Sequence, residues 1–216
     1  MQARGLRFPA PREIDIVDVD LTAPHPGEIR CVADMSLVSV GTELTCLRGE
    51  FDPRTFWAEW VQYPFAPGYS MVSRVEAIGT GVDTVRPGAR VFSFTPHAEA
   101  FVVDAREVVP IPDGVPTEHA AWSSLAVTTQ WALRRASFTF GETAAVVGLG
   151  LLGQLLVRYL RIAGARRIVA IDTDADRLAL AQAGGADEIV AAPVVDAAAR
   201  LGGSLDVVFH VTGQPA

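Results

Sequence analysis

The sequence contains no lysine, and all 18 of its basic residues are arginine. This absence excludes Schiff-base catalysis, phosphate binding by a P-loop lysine, and catalysis by a lysine-assisted tyrosine. Cysteine is also scarce: Cys31 and Cys46 are too few for a disulfide framework or a four-cysteine zinc lobe. We predict that both are core residues.

Long hydrophobic runs are missing as well. The first 13 residues have no apolar segment, and the longest apolar stretch, residues 144–157, is broken by glycines and Gln154. We therefore expect neither a signal peptide nor a spanning helix, and a cytoplasmic protein without a membrane partner. The net charge of −7 argues against nucleic acid as a partner. With half of its 216 residues hydrophobic, the chain can form one large or two small domains.

Residues 144–172 predict a strand, a tight turn, a helix and a second strand in that order. The apolar run Ala144–Val147 is followed by Gly148, Gly150 and Gly153 in the spacing G-x-G-x-x-G. In a dinucleotide site the first glycine allows the turn, the second leaves room for the pyrophosphate, and the third lets the helix pack closely. The helix N-terminus then faces the anion. The alternative is a plain strand-to-helix turn without a ligand.

Asp172 ends the second apolar strand and favours the dinucleotide interpretation. A carboxylate at this position accepts hydrogen bonds from the ribose hydroxyls of NAD and repels the 2′-phosphate of NADP. Arg177 lies five residues further on and could instead pair with that phosphate. The sequence predicts NAD as the cofactor, with NADP as the less favoured alternative.

The two parts of the chain differ in pattern. The first 115 residues are short alternating segments separated by glycine and proline, which is typical of a small antiparallel β-barrel. A helix over 117–136, N-capped by Thr117, leads into alternating strands and helices that indicate a parallel, doubly wound sheet. In the first part strands are predicted near residues 28–38, 71–77 and 100–103. In the second part strands are predicted over 143–148, 167–172, 187–191 and 205–211, with helices over 151–163 and 174–183.

Taken together, the two parts resemble the medium-chain dehydrogenase/reductase family across essentially the whole sequence. The resemblance is carried by Pro67-Gly68, by Val75–Val91, by the turn His97-Ala98-Glu99, by Ile111-Pro112 and by Gly141–Asp172. It implies an α/β fold with a GroES-like β-barrel domain (1–115) followed by a Rossmann domain (116–216). Only four strands precede the last residue, so we expect an incomplete second half of the Rossmann sheet. The resemblance also implies a homodimer in the full-length form.

Zinc-binding members of the family carry three ligand positions that differ here. Their Cys-Gly-Ser/Thr-Asp segment is Val40-Gly41-Thr42-Glu43, and their Gly-His-Glu segment is Gly68-Tyr69-Ser70. A third ligand would fall on Ser123 or Ser124. Zinc sites take thiolate, imidazole or carboxylate, so we predict a zinc-free member. The pattern looks most like the subgroup that contains the bacteriochlorophyllide hydroxyethyl dehydrogenases.

The resemblance also assigns candidate catalytic residues. Thr42 occupies the hydroxyl position of the family's proton relay, and Tyr69 stands where a zinc ligand would. A phenol is protonated at neutral pH and suits a proton donor, although Tyr69 could equally just fill the vacated volume. Glu43 matches an acid that supports the metal site, and without metal we expect it to hold arginines in the barrel. His97 is a further, less favoured candidate for a catalytic residue.

The resemblance implies a set of cofactor-binding residues along the second part of the chain. The predicted set is Gly148, Gly150, Leu151, Leu152, Gly153, Asp172, Arg177, Thr128, Val211 and Thr212.

The leading functional hypothesis is a zinc-independent oxidoreductase that transfers a hydride between NAD(H) and a secondary alcohol or ketone. An apolar small-molecule substrate is expected because Trp57, Trp60, Tyr63 and Phe65 crowd a segment that lines the family's substrate cleft. One alternative is an NADPH-dependent quinone or enoyl reductase, which also lacks zinc. Another is a non-catalytic nucleotide-binding protein.

Overall fold

A computed structural model of the chain describes residues 2–193, 195–197 and 205–212. The chain divides into two compact units, Met1–Ser124 and Leu125–Ala216. The domain boundary expected after residue 115 stays a prediction. Within the described ranges, no helix is long and apolar enough to cross a membrane.

The first unit contains a two-stranded and a five-stranded antiparallel sheet. The small sheet is β1 (Gln2–Arg7) with β2 (Asp15–Asp20). The strands of the large sheet are β3 (Glu28–Ser36), β4 (Met71–Ile78), β5 (Arg90–Ser93), β6 (Ala100–Asp104) and β7 (Val108–Pro110). Their order is β6-β3-β4-β5-β7. The predicted strands near 28–38, 71–77 and 100–103 correspond to β3, β4 and β6.

The register of the large sheet brings three strand ends together. Ser36 at the end of β3 pairs with Met71 at the start of β4, and Met71 also pairs with Ser93 at the end of β5. The loops that leave or enter these strands therefore meet at one end of the sheet. Apolar side chains such as Ile29 and Val75 fill the interior beside this sheet.

Three short helices complete the first unit, and a fourth begins in it. They are α1 (Val40–Arg48), α2 (Phe56–Trp60), α3 (Thr117–Ala120) and α4 (Ser123–Arg135). The single helix predicted over 117–136 is wrong, because α3 and α4 are separate. Thr117 is also not the N-cap: Pro116 precedes the first turn, and the Thr117 hydroxyl lies 3.3 Å from an Arg90 guanidinium nitrogen.

The second unit contains a four-stranded parallel sheet in the order β10-β9-β8-β11. Its elements are β8 (Thr143–Val147), α5 (Leu151–Ile162), β9 (Arg167–Asp172), α6 (Ala175–Ala183), β10 (Glu188–Ala191) and β11 (Val207–His210). Leu156 and Leu160 of α5 are buried against the sheet. The alternating pattern predicted for this half is confirmed. The carboxyl ends of β8, β9 and β11 lie at one edge, where ligands bind in sheets of this kind.

Candidate functional site

The three glycines of the turn after β8 occupy three different environments. Gly148 has a φ of +90°, and a Cβ there would lie 2.6 Å from Thr212 Cγ2. At Gly153 a Cβ would lie 2.0 Å from the Gly148 carbonyl oxygen, so only glycine lets α5 approach the turn this closely. At Gly150, in contrast, no atom of the described residues lies within 4 Å of a Cβ. These environments match the tight turn, the close helix and the open space that the motif predicts.

The open space at Gly150 lies at the N-terminus of α5. Gly150 is the N-cap residue, and no side chain in the described part of the chain caps this helix. The amides of its first turn, at Leu151, Leu152 and Gly153, therefore have no intrahelical acceptors. Backbone N–H groups at a helix N-terminus bind phosphate oxygens. The donor set fits the pyrophosphate of a dinucleotide.

Asp172 lies next to this turn and is tied to it. One carboxylate oxygen accepts a hydrogen bond of 2.7 Å from the Leu149 amide. The other accepts bonds of 2.8 Å from the Thr173 amide and 3.0 Å from the Asp174 amide. Two carboxylate oxygens offer about four acceptor positions, so capacity for a ribose hydroxyl is left. Arg177 lies outside the turn, with a guanidinium nitrogen 4.0 Å from the Asp172 carboxylate.

The remaining predicted cofactor residues lie after β11 and on α4. The Val211 amide donates to the Val147 carbonyl over 2.9 Å, which continues the sheet beyond β11. Thr212 follows beside Gly148, and its hydroxyl is 2.8 Å from His210 Nε2. Thr128 lies on an exposed face of α4.

Gln154 is a site residue that the sequence reasoning missed. Its side-chain amide donates to the Leu149 carbonyl over 3.2 Å and to the Arg177 carbonyl over 2.8 Å. It therefore ties the glycine turn to α6. The available signal was its position as the one polar side chain in the apolar stretch over 144–157.

In the first unit a chain of hydrogen bonds joins Ser36, His97 and Glu43. His97 Nε2 is 2.8 Å from a Glu43 carboxylate oxygen, and His97 Nδ1 is 2.8 Å from the Ser36 hydroxyl. The second Glu43 oxygen accepts a 2.7 Å bond from the Ser39 amide. Glu43 is buried, His97 is nearly buried and Ser36 is exposed.

The loop that carries Tyr69 packs directly against His97. The His97 amide donates to the Pro67 carbonyl over 2.8 Å. Gly68 has a φ of +104°, and a Cβ there would lie 2.8 Å from two atoms of the His97 ring. Thr42 and Glu43 are neighbours in α1, and both Thr42 and Tyr69 are half-buried. The three predicted catalytic residues are thus brought near one end of the large sheet.

One expectation about the first unit needs correction. Glu43 does not hold arginines, because its two oxygens are bound to Ser39 and His97. In the aromatic segment Trp57, Tyr63 and Phe65 pack on the small core that includes Cys46, whereas Trp60 is 37% exposed. The reason is the fold of the segment back onto α1, where the Tyr63 hydroxyl donates to the Cys46 carbonyl.

The three positions that match zinc ligands carry side chains without zinc-binding chemistry. Val40 is half-exposed, Tyr69 offers a phenol, and the Ser123 hydroxyl donates to the Ala120 carbonyl over 2.7 Å. Across the described residues, no group of three or more His, Cys, Asp or Glu side chains is placed to hold a metal.

The two cysteines are core residues, as predicted. Both are fully buried and free of disulfides. Burial raises the pKa of the Cys31 thiol to about 11. Burial and then the Glu43 charge raise the pKa of the Cys46 thiol to about 11. Both thiols are therefore protonated at neutral pH and unreactive as nucleophiles.

The chain is similar in sequence to several dehydrogenases. Residues 152–216 match the family model described as zinc-binding dehydrogenase. The chain is 28% identical to (R,R)-butanediol dehydrogenase of Bacillus subtilis (strain 168) over 187 residues, covering 70% of this chain and 53% of the relative. It is 29% identical to 2-desacetyl-2-hydroxyethyl bacteriochlorophyllide A dehydrogenase of Cereibacter sphaeroides over 195 residues, covering 82% of this chain and 58% of the relative.

A solved structure has the same fold. Acetophenone reductase from Geotrichum candidum, in complex with NAD, superposes with a TM-score of 0.84 at 20% identity, covering 99% of this chain and 69% of that chain. The chain thus spans a little over half the length of the curated relatives described above. The predicted fold class is confirmed.

Proposed function

We propose that this chain, a relative of the medium-chain dehydrogenases and reductases, is part of a zinc-independent oxidoreductase. The enzyme transfers a hydride between NAD(H) and a secondary alcohol or ketone of a fairly apolar small molecule. The observation that carries the proposal is the glycine turn, with open space at Gly150, uncapped amides at the start of α5 and Asp172 beside it. The bound nicotinamide supplies the hydride acceptor or donor.

The residues of the second unit have separate tasks in binding the dinucleotide. The amides of Leu151 and Leu152 hold the pyrophosphate, and Gly150 leaves the space for it. Asp172 accepts hydrogen bonds from the adenosine ribose, and its charge disfavours a 2′-phosphate. Arg177, Val211 and Thr212 flank the same region, and Thr128 on α4 is the remaining candidate.

The first unit supplies the groups that replace the metal. In zinc enzymes the metal stabilises the alkoxide that forms when the hydroxyl proton leaves. Thr42 here hydrogen-bonds the substrate oxygen, and the Tyr69 phenol stabilises that oxygen as a hydrogen-bond donor during ketone reduction. Glu43 acts in the same site through its bond to His97. This assignment is supported by the meeting of the three loops at one end of the large sheet.

Zinc independence is supported by the side chains at the three matched positions rather than by the family model, which matches residues of the second unit. Val40, Tyr69 and the serines at 123 and 124 offer no thiolate, imidazole or carboxylate. The protein should be purified without added metal and then analysed for metals. We expect far less than one zinc per chain, and NAD-dependent oxidation of apolar secondary alcohols that added chelator leaves unchanged.

Two outcomes would contradict this proposal. About one zinc per chain that resists mild chelation would contradict the metal-free site. Failure to bind any nicotinamide dinucleotide would contradict the oxidoreductase assignment as a whole. For the full-length form we propose a cytoplasmic homodimer. Light scattering of the purified protein would test whether it is a dimer.

A further inference from the structure

We infer that Glu43, His97 and Ser36 form a proton-transfer chain whose exposed end is the Ser36 hydroxyl. This inference rests on the proposed function, because the chain serves the proton that accompanies hydride transfer. The Glu43 and Ser36 contacts to His97 each measure 2.8 Å, which is a normal hydrogen-bond length. Buried Glu43 lies at one end and exposed Ser36 at the other, so the chain leads from the interior to the surface.

The chemistry of the three groups fixes the direction of the hydrogen bonds. An ionised carboxylate only accepts hydrogen bonds, so Nε2–H of His97 donates to Glu43. In neutral imidazole the other nitrogen then carries a lone pair, and Nδ1 accepts the hydrogen bond from the Ser36 hydroxyl. The result is the order hydroxyl, imidazole and carboxylate, in which the imidazole acts as the base for the hydroxyl.

The imidazole is held in this orientation from several sides. The His97 backbone amide donates to the Pro67 carbonyl over 2.8 Å, and the His97 carbonyl accepts from the Leu6 amide over 2.9 Å. Gly68 lies against the ring, where any larger residue would collide with it. The Ser39 amide in turn fixes the second oxygen of Glu43. Because the imidazole ring and the carboxylate bound to it are both fixed, His97 loses little conformational freedom when it transfers a proton.

Ser36 lies at the strand end that the candidate catalytic residues share. It pairs with Met71, and the Leu37 amide donates to the Ser70 carbonyl over 2.9 Å. The segment that contains Tyr69 therefore runs directly beside Ser36. We assign Ser36 as the group that contacts the substrate hydroxyl, and His97 and Glu43 as positioning residues that act through it.

The proton balance of alcohol oxidation follows from this arrangement. A bound nicotinamide would supply the acceptor for the C–H hydride, and the O–H bond of the substrate breaks. Its proton passes to Ser36 Oγ while the Ser36 proton passes to His97 Nδ1. The imidazolium formed is stabilised by the Glu43 carboxylate and later releases its proton to water. Ketone reduction runs the same transfers in reverse.

The first test measures the hydrogen-bonded chain without any turnover. Nitrogen-15 NMR of the cofactor-free chain, labelled at histidine, reports which ring nitrogen of His97 carries the proton. We expect Nε2–H in the unmodified protein. In Glu43→Gln the amide NH₂ donates to Nε2, so the proton should move to Nδ1. The inference would be overturned if the unmodified protein carried the proton on Nδ1. It would also be overturned if Glu43→Gln had the same His97 tautomer as the unmodified protein.

The second test measures kinetics in Ser36 variants. Ser36→Ala should lower kcat by about 100-fold with a nearly unchanged KM, the loss typical of a missing acid–base group. Ser36→Thr keeps the hydroxyl and should retain most of the activity. Thr45→Val is the matched control, since it removes a hydroxyl that only donates to the Gly41 carbonyl within α1. A Ser36→Ala enzyme whose kcat equals that of the unmodified enzyme would contradict the inference.

The two tests separate this inference from the proposed function. A protein that binds no nicotinamide dinucleotide contradicts the proposed function, and the NMR measurement then still decides whether the hydrogen-bonded chain exists. An active protein with the wrong His97 tautomer contradicts the proton-transfer chain alone.

Discussion

Gly153 is the residue of the glycine turn whose replacement should cost stability. A methyl group at Gly153 would lie 2.0 Å from the Gly148 carbonyl oxygen, a backbone atom that can move only with the strand. Gly153→Ala should therefore lower the free energy of unfolding by about 1–3 kcal/mol, the usual cost of overpacking. Urea denaturation followed by circular dichroism measures this change.

Gly150→Ala is the matched control for that variant. No atom of the described residues lies within 4 Å of a Cβ at Gly150, so the free energy of unfolding should fall only by the N-cap preference for glycine over alanine, about 1 kcal/mol or less. The same methyl group would occupy the space proposed for the pyrophosphate, so NADH affinity should fall. Equal stability of the two variants, or unchanged NADH affinity in Gly150→Ala, would argue against the assigned roles.

Single residues also show which features of the candidate site could not be predicted from the sequence. The roles of the three glycines follow from a spacing of a few residues, so the sequence predicts them directly. Glu43 and His97 are 54 residues apart, and their contact depends on strand pairing that no local pattern specifies. For this reason both residues could be identified as candidates from the sequence, but the arginine partners predicted for Glu43 were wrong.

At the scale of elements, the break between α3 and α4 is tied to the loop of the candidate site. The Ser70 hydroxyl donates to the Ala121 carbonyl over 2.6 Å, and both groups are buried. Ser70→Ala would leave that carbonyl unpaired, at a cost of about 1–3 kcal/mol. Thermal unfolding should show a clearly lower midpoint for this variant.

Ser123→Ala provides the comparison for the Ser70 variant. The Ser123 hydroxyl donates to the Ala120 carbonyl, within the same turn of chain, and is only half-buried. Its removal should cost less than the removal of Ser70, because water can reach the freed carbonyl. A Ser70→Ala protein as stable as the unmodified one would show that this bond does not hold the break.

The elements of the two units differ in how well the sequence predicts them. From β8 onward they are predicted to within about two residues, because apolar strands and amphipathic helices alternate there. In the first unit α1, α2 and the β1–β2 pair were not predicted. Strand β2 shows why: it has an alternating sequence, yet neither of its faces is buried, so the alternation does not correspond to a core.

At the scale of the whole molecule, each compact unit carries one group of candidate residues. The second unit holds the glycine turn and Asp172, and the first holds Thr42, Glu43, Tyr69 and His97. The chain covers 53% and 58% of the two curated relatives compared above. The fold class could be predicted from the sequence because motifs of both units are local. The zinc-free chemistry stays a proposal that metal analysis will test.

We propose an NAD site at the glycine turn, with Asp172 selecting against the 2′-phosphate. Calorimetric titration with NADH and NADPH tests this site, using the unmodified full-length protein, Asp172→Asn, and Asp187→Asn as a control. The Asp187 carboxylate accepts from Arg161 and from the Ile168 amide at the start of β9, at the opposite end of that strand from Asp172, so its replacement should cost stability without changing cofactor preference.

The unmodified full-length protein should bind NADH about tenfold or more tightly than NADPH, a difference of about 1.4 kcal/mol. Asp172→Asn should remove most of that preference, because the repulsive charge is lost. Tighter binding of NADPH than of NADH by the full-length protein, or no binding of either dinucleotide, would contradict an NAD site at the glycine turn.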